Sequence, residues 1–316
     1  MIKYICKRLL VAIPTFLGIT IITYYMSTLA GSPLEMLLNN PEMTQEILDL
    51  KARELGLDQP VFIQYFRWLL NLLSGNLGYS TRTGATVISM LAQRIGPTLI
   101  LTITSMIIAV IISIPLGVMA AYKRNSLWDY GSSGLSFLGA SVPNFFLGLI
   151  LIYTFSVQFH LLPMNGMYTV NQEKTLGDLL IHLLMPAITL AFGQAGSLIR
   201  HVRSSMLEVL NEDYIRTARA KGLKEKVVIM LHGLRNGAIP ICTQLGMSIP
   251  FLVGGAVVTE KVFGWPGIGT LMILSINSRD YPVIMGITIV VSGAVLLGNL
   301  LTDIVYGLLD PRIRYN

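Results

Sequence analysis

The chain has 316 residues, 53% of them apolar and only 13% charged, with a formal net charge of +6 and a mean hydropathy of +0.64. Soluble domains carry about a quarter charged residues, so the composition excludes an ordinary globular enzyme. Charge-free stretches of about 20 residues, long enough to cross a hydrocarbon core of roughly 30 Å, identify an integral membrane protein. Cys6 and Cys242 do not make a disulfide framework or a thiolate metal site.

Six segments read as spanning helices: Leu9 to Ala30, Thr98 to Tyr122, Gly134 to Phe159, Leu183 to Ile199, Ile239 to Thr259 and Val283 to Leu308. The first five carry no charged side chain, and the sixth carries only Asp303. Leu9 to Ala30 follows Lys3, Lys7 and Arg8, but its apolar run exceeds the ~7 to 15 residues of a signal core, so it reads as a retained span. Each of the first five spans holds at least one proline, among them Pro14, Pro115, Pro143, Pro186 and Pro250. Proline frees a backbone carbonyl that a neighbour or a water-filled cavity must satisfy, so the pattern fits a pathway-lining bundle as well as ordinary packing irregularity.

With the N-terminus inside, 15 of the 23 Lys and Arg residues fall on cytoplasmic segments and 8 outside. Positive flanks resist translocation, so both termini are expected in the cytoplasm. This accounts for the positive charge without a nucleic-acid partner, since no stacking aromatics interleave the basic residues. The chain divides into a cytoplasmic N-terminus with the first span (1–30) and an extracytoplasmic helical segment (31–95). A five-span core (96–310) with a cytoplasmic loop over 200–238, and a cytoplasmic tail (311–316), follow.

In the extracytoplasmic segment, Thr44 can cap a helix through Ile47, Leu48, Ala52 and Leu55 that Gly56 ends. Pro60 suits the start of a second helix, whose Phe62, Tyr65, Phe66, Leu69, Leu70 and Leu73 form an apolar face opposite Gln64, Arg67 and Asn71. Such a helix either lies in the membrane interface, with Trp68 at headgroup level, or packs on the bundle under a docking partner.

No Gly-x-x-x-x-Gly-Lys-[Ser/Thr] phosphate loop occurs, so the chain is not an ATPase of that type. His160, His182, His201 and His232 are scattered, and no metal or cofactor site is expected. Gly131-Ser132-Ser133-Gly134 matches a short pattern of intramembrane serine proteases, in which Ser133 would need a histidine within reach; His160 and His182 lie on the outer side, and His201 lies on its side of the membrane. Close helix packing also explains those small residues. No charged ring or filter-like loop marks a channel. The intramembrane polar residues are Gln194, Ser197, Gln244, Ser248, Asn299 and Asp303. Gln194, Ser197, Gln244, Ser248 and Asn299 can bond between helices or line a polar path. Asp303 is near enough to the inner end to reach Arg312 or the interface.

The loop from Arg200 to Arg235 is the most informative stretch. Asn211 can cap a short helix with Glu212 and Asp213 in its first turn, Arg219 and Lys221 in its last, and Gly222 ending it. Tyr214, Ile215 and Ala218 make a small apolar face, expected to be exposed. A second helix starts at Lys224 and carries Val227, Val228, Leu231 and Leu234. Taken alone, this is a basic helical hairpin at a membrane surface.

The run Asp213-Tyr214-Ile215-Arg216-Thr217-Ala218-Arg219-Ala220-Lys221-Gly222-Leu223, with Leu234-Arg235-Asn236 and Pro240, resembles the cytoplasmic loop motif of ABC importer permeases of the peptide/nickel branch. Leu55-Gly56-Leu57-Asp58-Gln59-Pro60, Gly75-Asn76-Leu77-Gly78, Glu260 through Gly269, Arg279-Asp280-Tyr281-Pro282 and Asp310 through Tyr315 extend the resemblance along most of the chain. Arg216, Thr217 and Ala218 stand where the general motif has Glu-Ala-Ala, which looks like the peptide branch's variant.

The resemblance implies an all-α, six-span fold of the type I importer permease kind, with a small helical insertion between the first two spans. It also implies a second homologous permease, two cytoplasmic ATPase subunits that hold ATP and Mg, and an extracytoplasmic solute-binding protein. Asn211, Tyr214, Ile215, Ala218, Arg219 and Gly222 would then couple to an ATPase subunit. The cargo would be short peptides delivered by the binding protein. Nickel, the branch's other cargo, would need His or carboxylate ligands facing the path, and His160 and His182 are the only outer-side histidines.

Overall fold

Hydrocarbon offers no partner to a backbone N–H or C=O, so a chain this apolar must close its hydrogen bonds within helices. The computed structural model describes residues 2–29, 50, 52–53, 56–237, 241–242, 244–246 and 256–309, and among them no strand forms beyond a single bridge between Tyr79 and Thr86. In chain order the helices are α1 (Ile2–Leu29), α2 (Val61–Leu73), α3 (Val87–Tyr122), α4 (Leu127–Ser141), α5 (Asn144–Leu151), α6 (Leu176–Val209), α7 (Asp213–Ala220), α8 (Glu225–Val227), α9 (Val257–Val262), α10 (Ile268–Asn277) and α11 (Tyr281–Leu309). Helix α5 runs on as a π-helix over Ile152–Gln158, and α8 over Val228–Leu234.

Helices α1, α3, α6 and α11 are long and apolar enough to cross a membrane and correspond to the expected first, second, fourth and sixth spans. The expected third span is not one continuous helix. It is α4 followed by α5 and its π-helical end, bent by 102° at Val142–Pro143. Pro143 lacks an N–H and forces Val142 into an extended conformation (φ −80°, ψ 120°), which the α-helix cannot continue through. By contrast, Pro14, Pro97, Pro115 and Pro186 lie within unbroken helices. Most of the expected fifth span, with Pro250, lies outside the described residues, as does the Thr44-capped helix. The turn that would end that helix is described, with Gly56 at φ +69°.

Two contacts built on small residues set the bundle. Gly117 of α3 lies against Val202 of α6, where a Cβ would come 2.6 Å from the valine side chain. Gly139 of α4 and Gly196 of α6 meet backbone to backbone: a Cβ on Gly139 would sit 2.7 Å from the Phe192 carbonyl oxygen, and one on Gly196 would sit 2.9 Å from the Gly139 Cα. Ser136 donates to the Gly196 carbonyl, Ser113 to that of Ala195 (3.3 Å) and Ser132 to that of Leu116 (3.3 Å). The expected packing role of Gly131 and Gly134 is therefore taken by Ser132, Ser136 and Gly139, because both of those glycines face open space.

At the opposite end of the bundle, Glu260 is fully buried and accepts from the Thr98 hydroxyl (2.7 Å) and the Thr270 amide (3.1 Å). Burial pushes its carboxyl pKa up, while the bonds from Thr98, Thr270 and Gly269 pull it back. Gly267 is required there, since a Cβ would fall 2.2 Å from the carboxylate. The Trp265 indole donates to the Pro97 carbonyl (2.8 Å), so the Glu260-to-Gly269 run is a plug seated on α3. Asp280 likewise accepts from the Ser80 hydroxyl (2.5 Å) and the Thr81 amide (3.1 Å), pinning the turn before α3 to the start of α11.

Helix α2 turns Tyr65 and Trp68 toward Tyr24 of α1, and the Tyr65 and Thr20 hydroxyls lie 2.9 Å apart. Gln64, expected on the polar face, donates to the Leu57 and Gln59 carbonyls, because the turn at Gly56 leaves those acceptors without helical donors. Phe62, Phe66, Leu70 and Leu73 remain exposed.

The Gly139–Gly196 crossing yields a direct prediction. Gly139→Val forces a branched side chain against backbone that cannot yield, and such overpacking costs at least ~1–3 kcal/mol. Detergent-extracted variant should lose thermal stability by size-exclusion melting, while Gly131→Ala, in open space, should match the wild type.

Candidate functional site

Helix α6 continues past its apolar part into the loop over 200–238, and its end determines how the hairpin sits. Asn211 does not cap α7. Its carboxamide donates back to the Leu207 carbonyl (2.8 Å), one of the acceptors that the end of α6 leaves open. Glu212, with extended backbone (φ −69°, ψ 149°), takes the N-cap position instead. Asp213 lies in the first turn of α7, Arg219 in the last, and Gly222 follows at φ +74°. That left-handed conformation reverses the chain and lays Val228–Leu234 back along α7.

The reversal changes which face of α7 is available. Ile215 (0% exposed) and Ala218 (6%) pack with Val228 in a small cluster, so they are not the exposed face expected from their spacing. Tyr214 alone of the three is exposed, at 40%. Arg219 grips Glu225 with two nitrogens, the shorter contact being 2.8 Å, and that carboxylate holds the guanidinium pKa above its ordinary value. Ile229 joins the core of Val118, Leu198, Val202 and Met206, and the Ser205 hydroxyl donates to the Gly237 carbonyl (3.0 Å). The hairpin is thus fastened to α6 through apolar and polar contacts, with Tyr214, Arg216 and Thr217 outward.

A second arrangement joins α6 to α4. Arg203 makes a bidentate pair with Asp129, Nε to Oδ1 at 2.6 Å and Nη2 to Oδ2 at 2.9 Å, and the Asn125 amide also donates to the carboxylate (3.0 Å). The Asp129 side chain is only 5% exposed. Composition and spacing did not single out this pair; its partners are 74 positions apart and belong to separate elements.

A cavity of about 260 Å³ opens between α3, α5 and α6, lined by Thr102, Asn144, Gln194, Ser197 and Gln244 among apolar neighbours. Three of the five polar candidates for a path, Gln194, Ser197 and Gln244, therefore share one space. Asn299 is exposed on α11 and does not line it, and Ser248 lies outside the described residues. Asn144, which sequence reasoning passed over, is present because the break at Pro143 makes it the first residue of α5. Among the described residues, no charged side chain lines the cavity and no group of His, Cys, Asp or Glu able to hold a metal occurs.

Comparison with known proteins agrees with this architecture. Residues 113–315 match the family described as binding-protein-dependent transport system inner membrane component, and residues 1–102 match its N-terminal companion. The chain is 44% identical to a putative peptide permease protein of Brucella suis over 99% of both chains. It is also 44% identical to the oligopeptide transport system permease protein AppB of Bacillus subtilis over all of both chains. The dipeptide transport system permease protein DppB of Escherichia coli is 37% identical, covering 100% of this chain and 99% of that one. In fold, it resembles a chain of the inward-facing MetNI methionine ABC transporter, with a TM-score of 0.58 and 18% identity over 70% of this chain and 96% of that one. The chain belongs to the binding-protein-dependent transport system inner membrane component family, as a multi-pass membrane permease.

Proposed function

We propose that this chain, with a second homologous permease, forms the pathway of an ATP-driven importer of short peptides. Its full-length likeness to permeases named for peptides, oligopeptides and dipeptides carries the reading. Two ATPase subunits bind ATP and Mg on the cytoplasmic side, and an extracytoplasmic binding protein delivers the peptide. Both termini are cytoplasmic, in accord with the distribution of Lys and Arg. The neutral, amide-bearing cavity suits a peptide better than nickel, which calls for imidazole or carboxylate ligands.

Coupling enters through α7. Ile215 and Ala218 hold the helix to its own hairpin, so the docking contact with an ATPase subunit falls to Tyr214 and the polar side chains beside it. Closure of the ATPase pair displaces α7. The hairpin passes that displacement to α6, and the Arg203–Asp129 pair and the Gly139–Gly196 contact pass it to α4. The movement arrives at the Pro143 break and the cavity beyond it.

Tyr214→Ala combined with Arg216→Glu should leave membrane insertion intact but cut recovery of ATPase subunits in a pull-down, and ATP-driven uptake, by roughly tenfold or more, as removal of an interface hot spot does. Ala218→Arg should in addition expose the loop to protease, because it places a charge inside the Ile215–Val228 cluster. Full ATPase association by the Tyr214/Arg216 variant would overturn the assignment of the docking face. For orientation, a cysteine in place of Lys174 should react with an impermeant thiol reagent in intact cells, and one in place of Lys221 should not.

A further inference from the structure

The cavity gathers polar side chains that the packing of the bundle does not use. Among the described residues, the side chains of Asn144, Gln194 and Ser197 have no hydrogen-bond partner, although all three line this one space within the bundle. The Thr102 hydroxyl beside them is satisfied by the Thr98 carbonyl (2.8 Å), so the wall is not uniformly unpaired. All three are half-buried, and their polar atoms reach the accessible space of the cavity, where they are open to water or to a ligand. Each carboxamide offers one acceptor and two donors, which complement the N–H and C=O of a peptide bond. Gly193 keeps Asn144 in place, since a Cβ there would come within 3.0 Å of the Asn144 Oδ1.

We propose that this cavity is a subsite that reads the main chain of a peptide in transit, with Asn144, Gln194 and Ser197 exchanging hydrogen bonds with its amide groups. The inference rests on the peptide reading above and adds where, and through which atoms, the permease itself touches its cargo. Among the described residues the wall carries no charge to pair with acidic or basic side chains, and its amides match what all peptides share. About 260 Å³ is below the range of pockets that enclose a drug-sized ligand.

The test uses the whole importer in proteoliposomes: both permeases, the ATPase pair, and saturating binding protein loaded with either a tripeptide or its analogue with an ester in place of one amide. The binding protein's affinity for each is measured separately. The wild type should transport the ester analogue several-fold more slowly at saturation. Asn144→Leu combined with Gln194→Leu should lower maximal tripeptide uptake by roughly tenfold, as loss of one or two hydrogen bonds would. The same variant should abolish the amide-over-ester preference and leave the half-saturating concentration of binding protein unchanged. Retention of that preference by the double variant would overturn the proposal. If the double variant does not assemble, Asn144→Ser, which shortens the reach without adding apolar bulk, is read in the same assay, and unchanged uptake with unchanged preference overturns it equally. A wild-type importer that moves no peptide at all would instead remove the peptide reading on which the subsite rests.

Discussion

A backbone carbonyl released inside hydrocarbon has no solvent to turn to, and this limits where a spanning helix can break. At the break the Val142 amide still donates to the Leu138 carbonyl (2.9 Å), and the Pro143 carbonyl accepts from the Phe146 and Leu147 amides (3.0 and 3.1 Å), so these backbone groups stay paired. Helix α4 lies against α6 at Gly139 and Gly196, close enough for backbones to touch, and serine hydroxyls supply donors to carbonyls along the contact. Beyond the break, the chain turns by 102° and presents Asn144 to the space that Gly193 leaves. The break, the small residues opposite it and the polar cavity are thus consequences of one another. A larger side chain at Gly139 would part the helices, and a side chain at Gly193 would crowd Asn144.

Charge follows the same economy. Buried carboxylates occur at the ends of the bundle, and each is met by donors: Asp129 by Arg203 and the Asn125 amide, Glu260 by Thr98 and Thr270, Asp280 by Ser80 and Thr81. Each ties together segments distant in sequence, and none lines the cavity between them. Charged groups therefore serve as fasteners at the bundle's ends, where a pair can be built without isolating an ion in hydrocarbon. Among the described residues the cavity is lined by neutral polar and apolar side chains, whose polarity a peptide can exchange for that of water at little cost.

What the sequence made legible was what local periodicity and composition control. Charge-free windows located α1, α3, α6 and α11, the apolar spacing after Pro60 located α2, and Gly222 marked the end of α7 through its left-handed turn. The prolines of these spans looked alike in the sequence, yet of the described ones Pro14, Pro115 and Pro186 sit inside helices and Pro143 stands at a break. Asn211 was legible as a polar residue before a helix, but the nearer open carbonyl of α6 claimed its side chain. Ile215 and Ala218 were legible as a stripe, but a stripe does not say what covers it, and the covering residue, Val228, arrives only after the chain reverses at Gly222. The Asp129–Arg203 pair and the unpartnered Asn144 depend on three-dimensional proximity that spacing does not encode.

The burial of the apolar side of α7 alters how force can travel through the proposed importer. A helix of eight residues is too short to hold its form in isolation, and one that kept Ile215 and Ala218 free for a partner would depend on that partner for its fold. Here the cluster with Val228 and the Arg219–Glu225 pair give the hairpin its own stability, and Ile229 and Ser205 fix it to α6. A push on α7 then moves a folded unit instead of folding a loose one, so less of the ATPase stroke is dissipated in ordering the chain. The outward residues that remain, an exposed tyrosine among charged neighbours, suit a contact that must hold through repeated cycles without merging the two proteins into one core.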